Sequence, residues 1–143
     1  MESKEKRDII LENYQNPSNK GLIDDSSYIK INTRNSSCVD NIDVMAKIEN
    51  GKIIDMKFDG EACAICTSAT SVMTKTLIGK TLEESEIIVA NFERMLDEKP
   101  YDEEVLEELN VYNETYKQPS RKRCALLPFE STKKIIETKK HEN

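Results

Sequence analysis

The residues of this chain best suited to chemistry are its four cysteines, Cys38, Cys63, Cys66 and Cys124. A thiolate either ligates a soft metal ion or attacks an electrophilic sulfur. Their neighbours are polar: Asn35-Ser36-Ser37 precedes Cys38, Asp40 follows it, and Arg121-Lys122-Arg123 precedes Cys124. Adjacent cations and helix N-termini both favour the thiolate form. Cys38 and Asp40, one residue apart, can offer a sulfur and a carboxylate oxygen to one ion. With Cys63 and Cys124 they make a set of three sulfurs and one oxygen, which suits tetrahedral zinc. The only histidine, His141, stands near the C-terminus and reads as a solvated residue rather than a ligand. Spacing alone leaves open metal binding, thiol chemistry and four unrelated small core residues. Cys63-Ala64-Ile65-Cys66 is a C-x-x-C, yet no second such pair follows to make a zinc ribbon. Cys66 itself reads first as a small residue of a buried helix, with a neighbouring thiol or a spare ligand as the alternatives.

These residues need elements to position them. Apolar Ile9, Ile10 and Tyr14 among charges predict a first helix over 3–15, closed by Asn16-Pro17. Asn16-Pro17-Ser18-Asn19-Lys20-Gly21 is a loop, and Tyr28, Ile29 and Ile31 suggest a short strand. Ile42, Val44, Ala46 and Ile48 alternate with polar residues up to Asn50-Gly51, a strong hairpin signal, and Ile54, Met56 and Phe58 return. This antiparallel meander contradicts a thioredoxin-like βαβ unit around the C-x-x-C. Residues 64–78 read as a buried helix ended by Gly79, and Thr81-Leu82-Glu83-Glu84 as a capping box opening a helix to about Asp97. Asp102 is expected to cap a short helix to Asn110. A last helix from Ser120 is expected to be interrupted and restarted at Pro128, with a frayed tail over 139–143. The sum is one α+β domain over 1–143: a small antiparallel β-meander packed against helices.

Composition narrows the function classes. With 27 acidic against 21 basic residues, a net charge of −6 disfavours broad nucleic-acid binding and attraction to an anionic membrane surface. No apolar run approaches the ~20 residues that cross a bilayer, and the charged N-terminus offers no secretory-type apolar segment. A cytoplasmic location is expected, where cysteines serve as ligands or reactive thiols rather than as disulfides.

Four separated stretches resemble the U-type iron–sulfur assembly proteins, the IscU, NifU N-terminal and SufU family. Asn16-Pro17-Ser18-Asn19-Lys20-Gly21 matches N-P-x-N-x-G, and Cys38-Val39-Asp40 matches C-G-D. Phe58 to Cys66 matches F-x-G-x-(G/A)-C-(A/S)-I-S, and Arg121 to Leu127 matches R-x-x-C-A-x-L. The likeness spans about residues 8–137. Arg123, where the scaffold branch has histidine, and the stretch following Gly79-Lys80-Thr81 make it most similar to the SufU branch. The resemblance implies a SufE/NifU-like fold with zinc at one tip, held by Cys38, Asp40, Cys63 and Cys124. It implies that Cys38 accepts persulfide sulfur from a PLP-dependent, SufS-like cysteine desulfurase and that the sulfur goes on to cluster biogenesis, through a downstream scaffold or apo-proteins. The alternative it implies is a scaffold binding iron or a [2Fe–2S] cluster through Cys38, Cys63 and Cys124. Val39 replaces the family's glycine, and Cys66 its serine. Arg121 and Arg123 are candidates for partner docking or thiolate stabilisation.

Overall fold

The alternating stretch forms β2 (Asn41–Glu49) and β3 (Lys52–Glu61), joined at Asn50-Gly51, where both residues take positive φ. The computed structural model describes residues 1–35 and 39–142. β1 (Ile29–Arg34) pairs antiparallel with β2, giving the order β1-β2-β3. Ile42, Val44, Ala46 and Ile48 face the core together with Ile53, Met56 and Phe58. A register shift between Lys47 and Ile48 puts Ile53, rather than Ile54, on the buried face, and Ile54 is exposed.

Around this sheet lie α1 (Ser3–Gln15), α2 (Ala64–Leu77), α3 (Leu82–Leu96), the single turn α4 (Glu103–Leu106) and α5 (Pro119–His141). The chain fits the α+β meander expected of it. α2 is the central helix, and the small side chains of Ser68, Ala69, Thr70 and Ser71 are fully buried. Their hydroxyls are satisfied: the Tyr112 phenol donates to Ser68 Oγ at 2.6 Å, and Ser71 Oγ donates to Asn13 Oδ1 at 2.7 Å. Phe92 stacks on Phe129 at 4.0 Å between ring centroids, closing the core between α3 and α5.

The Asn16–Gly21 loop is tied down along β3. Phe58 N–H donates to Asn19 O at 3.1 Å, Gly21 N–H to Phe58 O at 2.7 Å, and Ser18 N–H to Ser71 Oγ at 2.8 Å. Asn19 holds a left-handed φ of 64° to make these contacts.

Three further expectations are corrected. α5 runs unbroken through Pro128, although proline supplies no N–H to the Cys124 carbonyl four residues earlier. The burial of Leu127, Phe129, Ser131 and Thr132 around it outweighs the missing bond. The helix expected to Asn110 lasts one turn, because Glu107 at φ 50° leaves helical geometry and a 3-10 segment (Glu107–Tyr112) follows. The tail is helical to His141, where Lys140 pairs with Glu86 of α3 at 2.5 Å.

The capping box forms as the sequence specifies: Thr81 Oγ1 accepts from Glu84 N–H at 3.1 Å, and Glu84 Oε1 from Thr81 N–H at 2.9 Å. Thr81→Ala is expected to lower stability by about 1 kcal/mol, seen as a lower urea midpoint with unchanged slope. Thr81 lies at the hairpin-turn end of the sheet, where Lys52 bridges to it, so metal content should not change.

Candidate metal and sulfur site

At the other end of the β2–β3 hairpin three chain segments meet. The turn from β1 to β2 closes with Asn35 N–H donating to Asp40 O at 2.9 Å, so Asp40 sits directly ahead of β2. β3 ends at Glu61, opposite Asn41, and Cys63 follows as the N-cap of α2. Cys124 lies in the second turn of α5. Lys122, two residues earlier, pairs with Asp97 at the end of α3 at 2.5 Å and anchors that turn. The same Lys122 hydrogen bond holds the Asp97 carboxyl below the usual carboxylate range.

The donor atoms of Asp40, Cys63 and Cys124 all lie within 4.8 Å of one another. Asp40 is 1 % and Cys124 6 % exposed, whereas Cys63 is half-buried. Asp40 joins the segments: its Oδ1 accepts the Cys63 N–H at 2.7 Å, and its Oδ2 lies 3.8 Å from Cys63 Sγ. The Cys63 sulfur in turn accepts the Cys66 N–H at 3.4 Å as a helix cap. An anion at this point faces the N-terminus of α2, where the helix dipole favours negative charge.

This donor set fits zinc. Ligands at ~2.0–2.3 Å around a tetrahedral ion stand about 3.5–3.8 Å apart, so contraction by about 1 Å would close three corners. Two sulfurs and one oxygen, two of the three residues buried, are also the soft-plus-hard mixture that zinc accepts. Cys38, the sequence's fourth candidate, lies outside the described residues. Cys66 does not join the cluster: it is fully buried among the core residues of α2, as its reading as a small helix residue anticipates. Val39 is the most solvent-facing of the large hydrophobics at 73 % exposure. Arg121 and Arg123 are both exposed. His141 is exposed on the last turn of α5 and is not among the grouped donors.

The Asp40–Cys63 hydrogen bond is not foreseeable from spacing, because Asp40 precedes β2 and Cys63 follows β3, and the two meet only through the β2–β3 register. The one available signal is the pairing itself: the Asn50-Gly51 turn fixes Asn41 near Glu61, which brings their neighbours together.

Comparison with known proteins places these features in context. Residues 5–124 match the model of the NifU-like N-terminal domain family. The zinc-dependent sulfurtransferase SufU of Bacillus subtilis (strain 168) is 32% identical over 131 residues, covering 91% of this chain and 88% of that protein. The iron–sulfur cluster assembly scaffold protein IscU of Thermotoga maritima is 29% identical over 117 residues, covering 82% of each. Among solved structures, a candidate SUF-system assembly scaffold from Fervidobacterium islandicum AW-1 superposes with a TM-score of 0.83 at 29% identity, covering 90% of this chain and 93% of that one.

Proposed function

Because the chain belongs to the NifU-like N-terminal domain family, we propose that it is a zinc-dependent acceptor of persulfide sulfur in iron–sulfur cluster assembly. The observation that carries this reading is the convergence of Asp40, Cys63 and Cys124 from three segments onto one point at the tip. The donor is a PLP-dependent cysteine desulfurase, and the recipient is a cluster scaffold or an apo-protein. The family's known task and the SufU relative support that pairing.

In this reading Asp40, Cys63 and Cys124 would hold zinc throughout, with Cys38 as a fourth ligand given up when the donor docks, which frees its thiolate to attack. The bound ion keeps its cysteine ligands as thiolates at neutral pH. The chain's own part of the reaction is a thiol–disulfide type exchange. The Cys38 sulfur attacks the outer sulfur of the donor's persulfide, a new S–S bond forms on Cys38, and the donor cysteine leaves as its thiolate. Asp40 orients the tip by holding the Cys63 amide.

The test is elemental analysis and desulfurase assay on protein produced without added metal. About one zinc per chain is expected. Added protein should raise sulfide and alanine release by the desulfurase of the same organism. Metal-free preparations that stimulate equally well would reject the zinc-dependent acceptor. The scaffold reading, favoured by the Thermotoga relative, predicts instead a stable visible chromophore after anaerobic reconstitution and its transfer to an apo-ferredoxin.

A further inference from the structure

We propose that the groove between α1 and the start of α5 binds an acidic segment of the sulfur-donating protein, anchored by an aliphatic side chain. The assignment rests on the function proposed above. The groove encloses about 370 Å³. Its apolar lining comes from Ile10 of α1, Ile65 of α2 and the buried Val111. Cations stand around it: Lys6 and Arg7 from one wall, Arg121 from the other. None of these three makes an ion pair or side-chain hydrogen bond among the described residues. Lys117 also lines the groove, and the one carboxylate among its described lining residues, Glu114, pairs with it at 3.3 Å.

This arrangement is selective. The chain carries a net charge of −6, so an acidic partner is repelled by most of its surface. The groove reverses that locally, with three unsatisfied cations over an apolar floor, the rim-and-core pattern of a protein docking surface. It also adjoins the tip. Ile65 stands two residues after Cys63, and Arg121 one helical turn before Cys124. A segment seated there lies beside the sulfur-carrying end and would orient the donor's persulfide toward it.

The experiment uses Lys6→Glu/Arg7→Glu in the full-length, metal-loaded chain. Carboxylates near the N-terminus of α1 suit the helix dipole, so the fold should persist. Direct binding to the desulfurase is measured by calorimetry, and stimulation of the desulfurase is measured separately. The double variant should bind about tenfold more weakly at low salt, and the difference should shrink as salt rises. Half-maximal stimulation should move to higher protein concentration by the same factor, with the plateau rate and zinc content unchanged. Lys30→Glu, on the exposed side of β1, should show none of this. Unchanged binding by the double variant overturns the groove, whatever stimulation does. Groove-dependent binding by a wild-type protein that stimulates nothing rejects the sulfur-acceptor reading but keeps the groove. A wild-type protein that does not bind the desulfurase rejects both.

Discussion

Cys38→Ala is expected to reduce desulfurase stimulation to the rate of the desulfurase alone, a loss on the order of 10²-fold or more in sulfur transfer. The acceptor sulfur must be free to attack and then leave with its cargo. Among the four cysteines the described geometry disfavours the others. Cys66 is sealed in the core and Cys124 is buried in the second turn of α5. Cys63 is occupied at once as the cap of α2 and as the neighbour of Asp40. Cys66→Ser should therefore stimulate like the wild type. The decisive readout is mass spectrometry after alkylation. Incubation with desulfurase and cysteine should add the mass of one sulfur atom to the peptide containing Cys38, and this gain should disappear in Cys38→Ala. A persulfide found on Cys63 or Cys124 instead would relocate the acceptor.

Gly60→Ala is expected to be the most damaging small substitution, at roughly 2–4 kcal/mol. Gly60 holds φ 138° opposite Ile42 of β2, and a Cβ there would overlap Asn41 O and stand 2.9 Å from Ile42 Cα. Both obstacles are backbone, so no side chain can turn aside. The only relief is to push the strands apart where Asn41 pairs with Glu61, which separates Asp40 from Cys63. The variant should lose stability in urea and also bind zinc more weakly. Gly51→Ala is the control: its φ is also positive, at 74°, but no atom lies within 4 Å of the added carbon. It should cost only about 1 kcal/mol and leave zinc affinity alone. Equal losses in the two variants would refute the steric account.

Particular residues explain what could be read from the sequence. The β2–β3 hairpin was legible because strict alternation and Asn50-Gly51 are local signals that agree with the tertiary fold. The α3 capping box was legible for the same reason. Pro128 misled because the rule that proline breaks helices is local, whereas the burial of Leu127 and Phe129 is decided by distant partners such as Phe92. Glu107 misled in the opposite sense: a left-handed residue usually announces itself as glycine or asparagine, and this one does not. At the tip, Asp40, Cys63 and Cys124 could be named from residue type and family resemblance. The hydrogen bond by which Asp40 grips the Cys63 amide depends on strand register and could not. The groove was less visible still, since Lys6 and Arg121 lie near opposite ends of the chain and become neighbours only when α1 and α5 meet at α2.

The Asn16–Gly21 loop has a consequence beyond bracing α2. β3 borders the sheet, and such a margin exposes backbone donors and acceptors to any extended chain nearby. Because Asn19 and Gly21 already occupy both outward-facing groups of Phe58, a second molecule cannot add a strand there without first peeling the loop away. The motif thus closes the margin of β3 at Phe58 to pairing by another chain.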